Sequence, residues 1–267
     1  MGVPSVFLRT FGCNFTCDGF GMPRGQKSVE RYNVDEEIFD EYHKLPLVST
    51  GCDSYASWDV RFKHLSPMLS VNKLADKIVE ILPYKEWRDE HLVITGGEPL
   101  LGWQRSYPKL LDHPKMHNLK EITFETNGSQ ELSKDLEEYL ISWQEDKNIS
   151  LGRGYDSITF SVSAKLSVSG EKREEAIRPD YVVGYQQVGH TYLKFVIASE
   201  QDCDEALEVI ELYRKEGFTG NVYLMPVGGV ESIYSLNNRT VAELAMKYGL
   251  RYSDRIQVPL FKNAWGT

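Results

Sequence analysis

A chain of 267 residues, 41% of them hydrophobic, can bury a full core and is most simply one α/β domain over 1–267. The formal net charge of −9 and pI near 5.3 argue against nucleic-acid binding through a basic face, and no run of about eighteen apolar residues would span a membrane. The N-terminus lacks the regions of a secretory signal, and four unevenly spaced cysteines make no disulfide framework, so a reducing cytoplasm is the expected compartment.

Ser5-Val6-Phe7-Leu8-Arg9 predicts a first buried strand that delivers a loop ending in Cys13-Asn14-Phe15-Thr16-Cys17. Thiolates at that spacing suit one iron–sulfur cluster and are too close in sequence for an ordinary structural disulfide. Cys52 follows after 34 further residues. Four irons held by three cysteines keep one iron free for a substrate or cofactor. Residues 18–65, glycine- and proline-containing and then acidic and aromatic, are expected to be an irregular insertion covering the cluster.

Ser70 or Asn72 caps a helix through Leu82, with Leu74, Ile78 and Leu82 on one face. Strands are predicted over 91–95, 119–124, 157–162, 192–198, 222–225 and 252–257. Between them fall a helix capped by Ser133, an acidic-capped helix over 202–215 and an amphipathic helix near 240–248. Alternating strands and helices imply parallel βαβ units, and six or seven strands suggest an open or partial barrel rather than a closed eightfold one.

In such folds the site lies at the C-terminal ends of the strands. Cys13 and Cys17, Thr95 to Glu98, Glu125 to Asn127, Ser163 with Lys165, and Ser199 with Glu200 all fall there. Gly96-Gly97 fits a tight turn, or a backbone edge that a cofactor approaches, with Glu98 or nearby carbonyls accepting from an ammonium group. Glu125 and Asn127 fit turn formers as well as ligand contacts. Lys165 suits a solvated surface or a carboxylate partner. Cys203 reads as a packed thiol at a helix start. No paired histidine spacing, GxSxG or GxxxxGK[ST] is present, which sets aside zinc hydrolases and the commonest hydrolase and NTPase classes.

With Gly12-Cys13-Asn14-Phe15-Thr16-Cys17, Gly96-Gly97-Glu98-Pro99 and Glu125-Thr126-Asn127-Gly128, the chain resembles the radical S-adenosylmethionine (SAM) enzymes. Phe7-Leu8-Arg9, Cys52-Asp53-Ser54, Ser163-Ala164-Lys165 and a short C-terminal tail resemble the 7-carboxy-7-deazaguanine synthase family. The resemblance implies a modified partial (β/α)6-type barrel with a long insertion after the cluster loop. It implies a [4Fe–4S] cluster on Cys13, Cys17 and Cys52, and SAM against Gly97, Glu125, Ser163, Ala164, Lys165, Ser199 and Glu200. It further implies a 6-carboxy-tetrahydropterin substrate held by Arg9, Thr95 and the Thr267 carboxylate, with Mg²⁺ on Ser54. No catalytic side chain beyond the cofactor is implied. An electron donor such as flavodoxin and a homodimer would be in keeping with the family.

The chain departs from the family pattern in four places. Its third cysteine usually lies close to the other two, a Gln-Gly-Glu-Gly segment usually precedes the Gly-x-Pro that opens this chain, Ala164 replaces a proline, and Ser54 replaces a threonine. The remaining readings are a radical SAM activase, with residues 18–65 as its docking surface, and a non-catalytic metal-binding scaffold.

Overall fold

The computed structural model describes residues 3–151 and 157–265. Among them seven strands form one parallel sheet in strict sequence order. They are β1 (Ser5–Thr10), β2 (His91–Gly96), β3 (Ile122–Thr126), β4 (Ile158–Val162), β5 (His190–Ile197), β6 (Val222–Pro226) and β7 (Arg251–Tyr252). The connections carry α1 (Val71–Ile81), α2 (Tyr107–Leu111), α3 (Lys134–Leu151), α4 (Arg173–Ala176), α5 (Pro179–Val188), α6 (Glu200–Glu216) and α7 (Glu231–Lys247). A last short helix, α8 (Gln257–Phe261), follows β7. Each strand pairs only with its sequence neighbours, and β1 and β7 stay unpaired with each other, so the sheet is a partial barrel rather than a closed one. Among the described residues no helix is long and apolar enough to cross a membrane.

The strands alternate. Leu92, Ile94, Ile122, Phe124, Ile158, Phe160, Leu193 and Phe195 share one core with α3, α5 and α6, through residues such as Leu140, Tyr185 and Val209. Phe124 stacks on Phe160 at 5.3 Å, and Phe160 stacks on Tyr185 at 4.9 Å. The opposite phase carries polar groups: Arg9 pairs with Thr95, and Glu125 pairs with Ser161, in register across the sheet. Period two therefore separates a packed face from a polar one.

Residues 18–65 are not structureless. They wind through short 3-10 turns, at Glu30–Asn33, Glu36–Ile38, Tyr42–Lys44, Tyr55–Ser57 and Val60–Leu65, around their own core of Val34, Leu45, Val48, Tyr55 and Phe62. Trp265 from the far end of the chain completes that core, edge-on to Tyr42 at 4.8 Å.

Some element bounds differ from the sequence expectation. β3 begins at Ile122 because Leu119 still closes a turn onto the Met116 carbonyl. The strand expected over 252–257 stops at Tyr252, where Tyr234 bonds Asp254 and the chain turns into α8. α7 starts nine residues before the expected Thr240, its first half carrying Asn237 and Asn238, which weaken an apolar pattern. α5 was not expected, although Pro179 at its first position and Asp180 in its first turn are start signals.

Phe160 lies at the centre of the aromatic stack and is fully buried. Phe160→Ala is expected to cost about 3–5 kcal/mol of stability. A denaturant titration checks this, with a lower midpoint and unchanged slope as the expected result.

Candidate active site

β1 ends in the cysteine loop, and the Gly-Gly turn after β2 holds it. The Thr10 hydroxyl donates to the Thr95 carbonyl at 3.1 Å, Gly97 N–H to the Thr10 carbonyl at 3.2 Å and Glu98 N–H to the Gly12 carbonyl at 2.8 Å. Gly96 has φ +135°, and a Cβ there would meet the Thr10 carbonyl oxygen at 2.1 Å. A Cβ on Gly97 would lie 2.2 Å from the Gly12 oxygen and 2.8 Å from the Cys13 Cβ. Both glycines are thus required by backbone approaching backbone.

The loop is also gripped from β4's side. Glu171 accepts from Thr16 N–H at 2.8 Å and Cys17 N–H at 2.6 Å, a contact the sequence did not signal. Cys17 itself sits at φ 51°, a left-handed turn that redirects the chain.

Cys52 returns to this loop despite the intervening residues. Arg31, buried, spans Asp18 at 3.3 Å and Asp59 at 2.8 Å, so the residue after Cys17 is tied to the turn after Cys52. Gly51 N–H donates to the Phe20 carbonyl at 2.7 Å, and Gly12 N–H to the Ser57 carbonyl at 2.8 Å. The Glu30 carboxylate collects the backbone and hydroxyl donors of Ser49 and Thr50 at 2.8–3.0 Å.

Cys13, Cys17 and Cys52 consequently share one small apolar cluster with Phe15, Phe20 and Ala176, and all three are free thiols. Burial pushes Cys13 up to about 12 and Cys52 up to about 11, and raises Cys17 well above its ordinary value. Charge on Cys13 or Cys52 also raises Cys17, while Lys165 opposes the rise at each of the three. Three desolvated thiols that disfavour one another's ionisation are a donor set awaiting positive charge. Among the described residues no three His, Cys, Asp or Glu side chains converge on a single-ion site. A polynuclear iron–sulfur cluster takes thiolate ligands, and these three thiols lie in one group of side chains. The three cysteines therefore fit it.

Glu98 is fully buried, and its carboxylate accepts from Leu100 N–H at 3.0 Å, the Thr126 hydroxyl at 2.7 Å and Asn127 N–H at 2.7 Å. These donors use it as a strut between the β2 and β3 turns.

Thr95, buried, donates to Glu125 at 3.3 Å. Glu125 in turn faces Lys194 of β5 at 3.9 Å, an amine that burial holds below its ordinary range. Lys165 donates to the Ser163 hydroxyl at 2.9 Å rather than pairing with a carboxylate, and Ala164 is buried between them. Burial alone would raise the Asp53 carboxyl, but Arg255 at 2.6 Å outweighs it and lowers it. The Ser54 hydroxyl points at Asp53 at 3.5 Å. Arg9 stands exposed beside Thr95 in register.

Ser199 and Glu200 are exposed, at the β5–α6 junction. The Ser199 hydroxyl is engaged as the cap of α6, bonded to Asp202 at 2.9 Å. Thr267 lies outside the described residues. Cys203 packs in the main core, away from the other thiols' cluster. Lys194, Arg255, Glu171 and Asn127, whose amide donates to Asn14 at 3.1 Å, join the rim as polar groups facing the site.

Two outcomes follow from this geometry. Gly97→Ala must displace the Cys13 loop, so reconstituted protein is expected to retain several-fold less iron, measured by metal analysis. Donors from Ser49 and Thr50 outweigh burial and hold Glu30 below its ordinary value of 4.5. Its stabilisation is therefore complete above that value and is lost as pH falls through the lower folded one. Glu30→Gln is expected to cost about 1 kcal/mol at neutral pH, with the gap to wild type closing in acid unfolding curves.

No protein-family model matches the chain. It is 26% identical to a 7-carboxy-7-deazaguanine synthase of Leptospira interrogans, over 99% of this chain and 89% of that one. A Halobacterium salinarum protein of the same name is 28% identical over 98% of this chain and 85% of its own. A third, from Pyrobaculum aerophilum, is 23% identical over 86% and 87%. The fold is similar to that of Streptococcus suis SuiB, solved bound to the precursor peptide SuiA, with a TM-score of 0.51 and 13% identity. That match covers 96% of this chain and 49% of SuiB. With relatives of one name aligned along nearly the whole chain, and three thiols gathered at the rim of a partial parallel barrel, the chain is similar throughout its length to 7-carboxy-7-deazaguanine synthases.

Proposed function

We propose that the chain converts a 6-carboxy-tetrahydropterin into 7-carboxy-7-deazaguanine with loss of ammonia, within deazapurine and queuosine biosynthesis. The observation that carries this reading is the near-full-length likeness to synthases of that name, coupled to three free thiols in one buried cluster. The relatives' shared name leaves the activase and scaffold readings without support.

When bound, a [4Fe–4S] cluster and SAM supply the 5′-deoxyadenosyl radical that removes a hydrogen from the substrate. The protein's part is to hold, orient and exclude water. Cys13, Cys17 and Cys52 would hold the cluster. Gly97 offers the side-chain-free edge beside Cys13 that SAM's amino-acid end requires. Glu125 is half-exposed, with one carboxylate oxygen on Thr95 and the other 3.9 Å from Lys194, and would lie near SAM at this rim. Ser163, Ala164 and Lys165 form the β4 rim against SAM, and Ser199 with Glu200 the β5 rim near its nucleoside.

Arg9 and Thr95, adjacent on β1 and β2, bind the pterin, with Thr267 as a further contact. Ser54 would supply a hydroxyl oxygen for Mg²⁺. Its neighbour Asp53 is committed to Arg255. A flavodoxin-like donor, a homodimer and action in the cytoplasm complete the proposal, with the chain as one unit and residues 18–65 covering the cluster.

The test is anaerobic reconstitution with reductant, SAM, Mg²⁺ and 6-carboxy-tetrahydropterin, followed by mass spectrometry of the product. Formation of 7-carboxy-7-deazaguanine that Cys52→Ala abolishes and Cys203→Ala preserves is expected. Accumulation of 5′-deoxyadenosine without the deazapurine would overturn the substrate assignment while leaving the radical chemistry in place.

A further inference from the structure

The segment between the second and third cysteines also reaches the sulfur it delivers. Trp58 follows the Tyr55–Ser57 turn, and its indole N–H donates to the Cys52 sulfur at 3.4 Å. Indole has one N–H and no acceptor, so this contact is all the hydrogen bonding the side chain has to offer. The ring is fixed from the other side by the Arg31 guanidinium, 4.7 Å from its centroid. Arg31 is itself immobilised between Asp18 and Asp59. The donor's position is therefore set by the same buried ion pairs that bring Cys52 beside Cys17. Cys52 also receives the Ser54 backbone donor, as Cys13 receives Phe15 N–H at 3.4 Å, but Cys13 has only a distant side-chain approach, from the Asn127 amide at 3.9 Å.

We propose that Trp58 is a positioning and tuning residue whose indole N–H, on the Cys52 sulfur, raises the reduction potential of the cluster held there. The inference rests on Cys52 being a cluster ligand. A donor on a ligand sulfur stabilises negative charge, and does so more in the reduced cluster, which carries one more electron than the oxidised one. Removing the N–H thus disfavours reduction.

The experiment is an EPR-monitored redox titration of reconstituted wild type and Trp58→Phe, with dithionite as titrant and iron and sulfide content measured alongside. Phenylalanine keeps an aromatic face for Arg31 and removes the donor together with the volume of the second ring. The expected result is unchanged cluster content with a midpoint moved to lower potential. A shift of roughly tenfold in the oxidised-to-reduced ratio at fixed potential corresponds to about 59 mV for one electron. An unmoved midpoint overturns the inference. Should Trp58→Phe fail to assemble a cluster, wild-type protein carrying ¹⁵N-indole tryptophan decides. A ¹⁵N hyperfine coupling in pulsed EPR of the reduced cluster supports the contact, and its absence refutes it. Cys52→Ala separates the two levels, because unchanged iron content and potential in that variant would defeat the ligand assignment itself.

Discussion

Arg31, buried between Asp18 and Asp59, is the contact on which the site's assembly depends. One guanidinium joins the residue after Cys17 to the turn after Cys52, and so brings together two thiols that 34 residues separate in sequence. Loop entropy grows only logarithmically, so lengthening a short connection to that size costs about 2 kcal/mol. Losing one partner of a buried ion pair costs about 3–5 kcal/mol. The clasp is therefore strong enough to hold an insertion that would otherwise separate two thiols of one site. The insertion's own apolar core, with Trp265 in it, adds a second attachment on its far side.

The sheet supplies the other half of the site. Because all seven strands are parallel, their C-terminal ends form one rim, and every connection there can contribute a polar group. The Glu98 carboxylate makes that rim rigid, tying the turn after β2 to the turn after β3. Charge is distributed across it, with Glu125 facing Lys194 and Asp53 facing Arg255. A site of that kind orders a charged ligand with little reorganisation of its own.

The strands, their parallel order and the rim were legible because buried strands are short apolar runs ending in glycine, threonine or acidic residues. The cysteine loop and Gly96-Gly97 were legible for the same reason. The strut role of Glu98 was not legible, because no sequence shows which nearby donors a carboxylate will gather. Lys194 escaped notice because an inward polar residue on an alternating strand looks like an ordinary solvated one. The core of residues 18–65 was invisible, since 3-10 turns are too short to show a period and part of that core comes from the opposite chain end. Ser199 illustrates a mixed case: its strand-end position was correct, but its hydroxyl is occupied in starting α6.

The topology also has a kinetic side. From β3 onward each strand joins the one just before it through a helical crossover, so the sheet can grow by successive additions. β1 alone must pair across the whole insertion and α1 before its neighbour is met. Contacts between distant parts of a chain form slowly, because closure precedes any reward. The first strand is thus expected to dock last during refolding, which pulsed hydrogen exchange would register as late protection of Phe7 and Leu8 relative to Ile122 and Phe160. Iron would then meet a sheet already built, with only the thiol-bearing edge left to close around it.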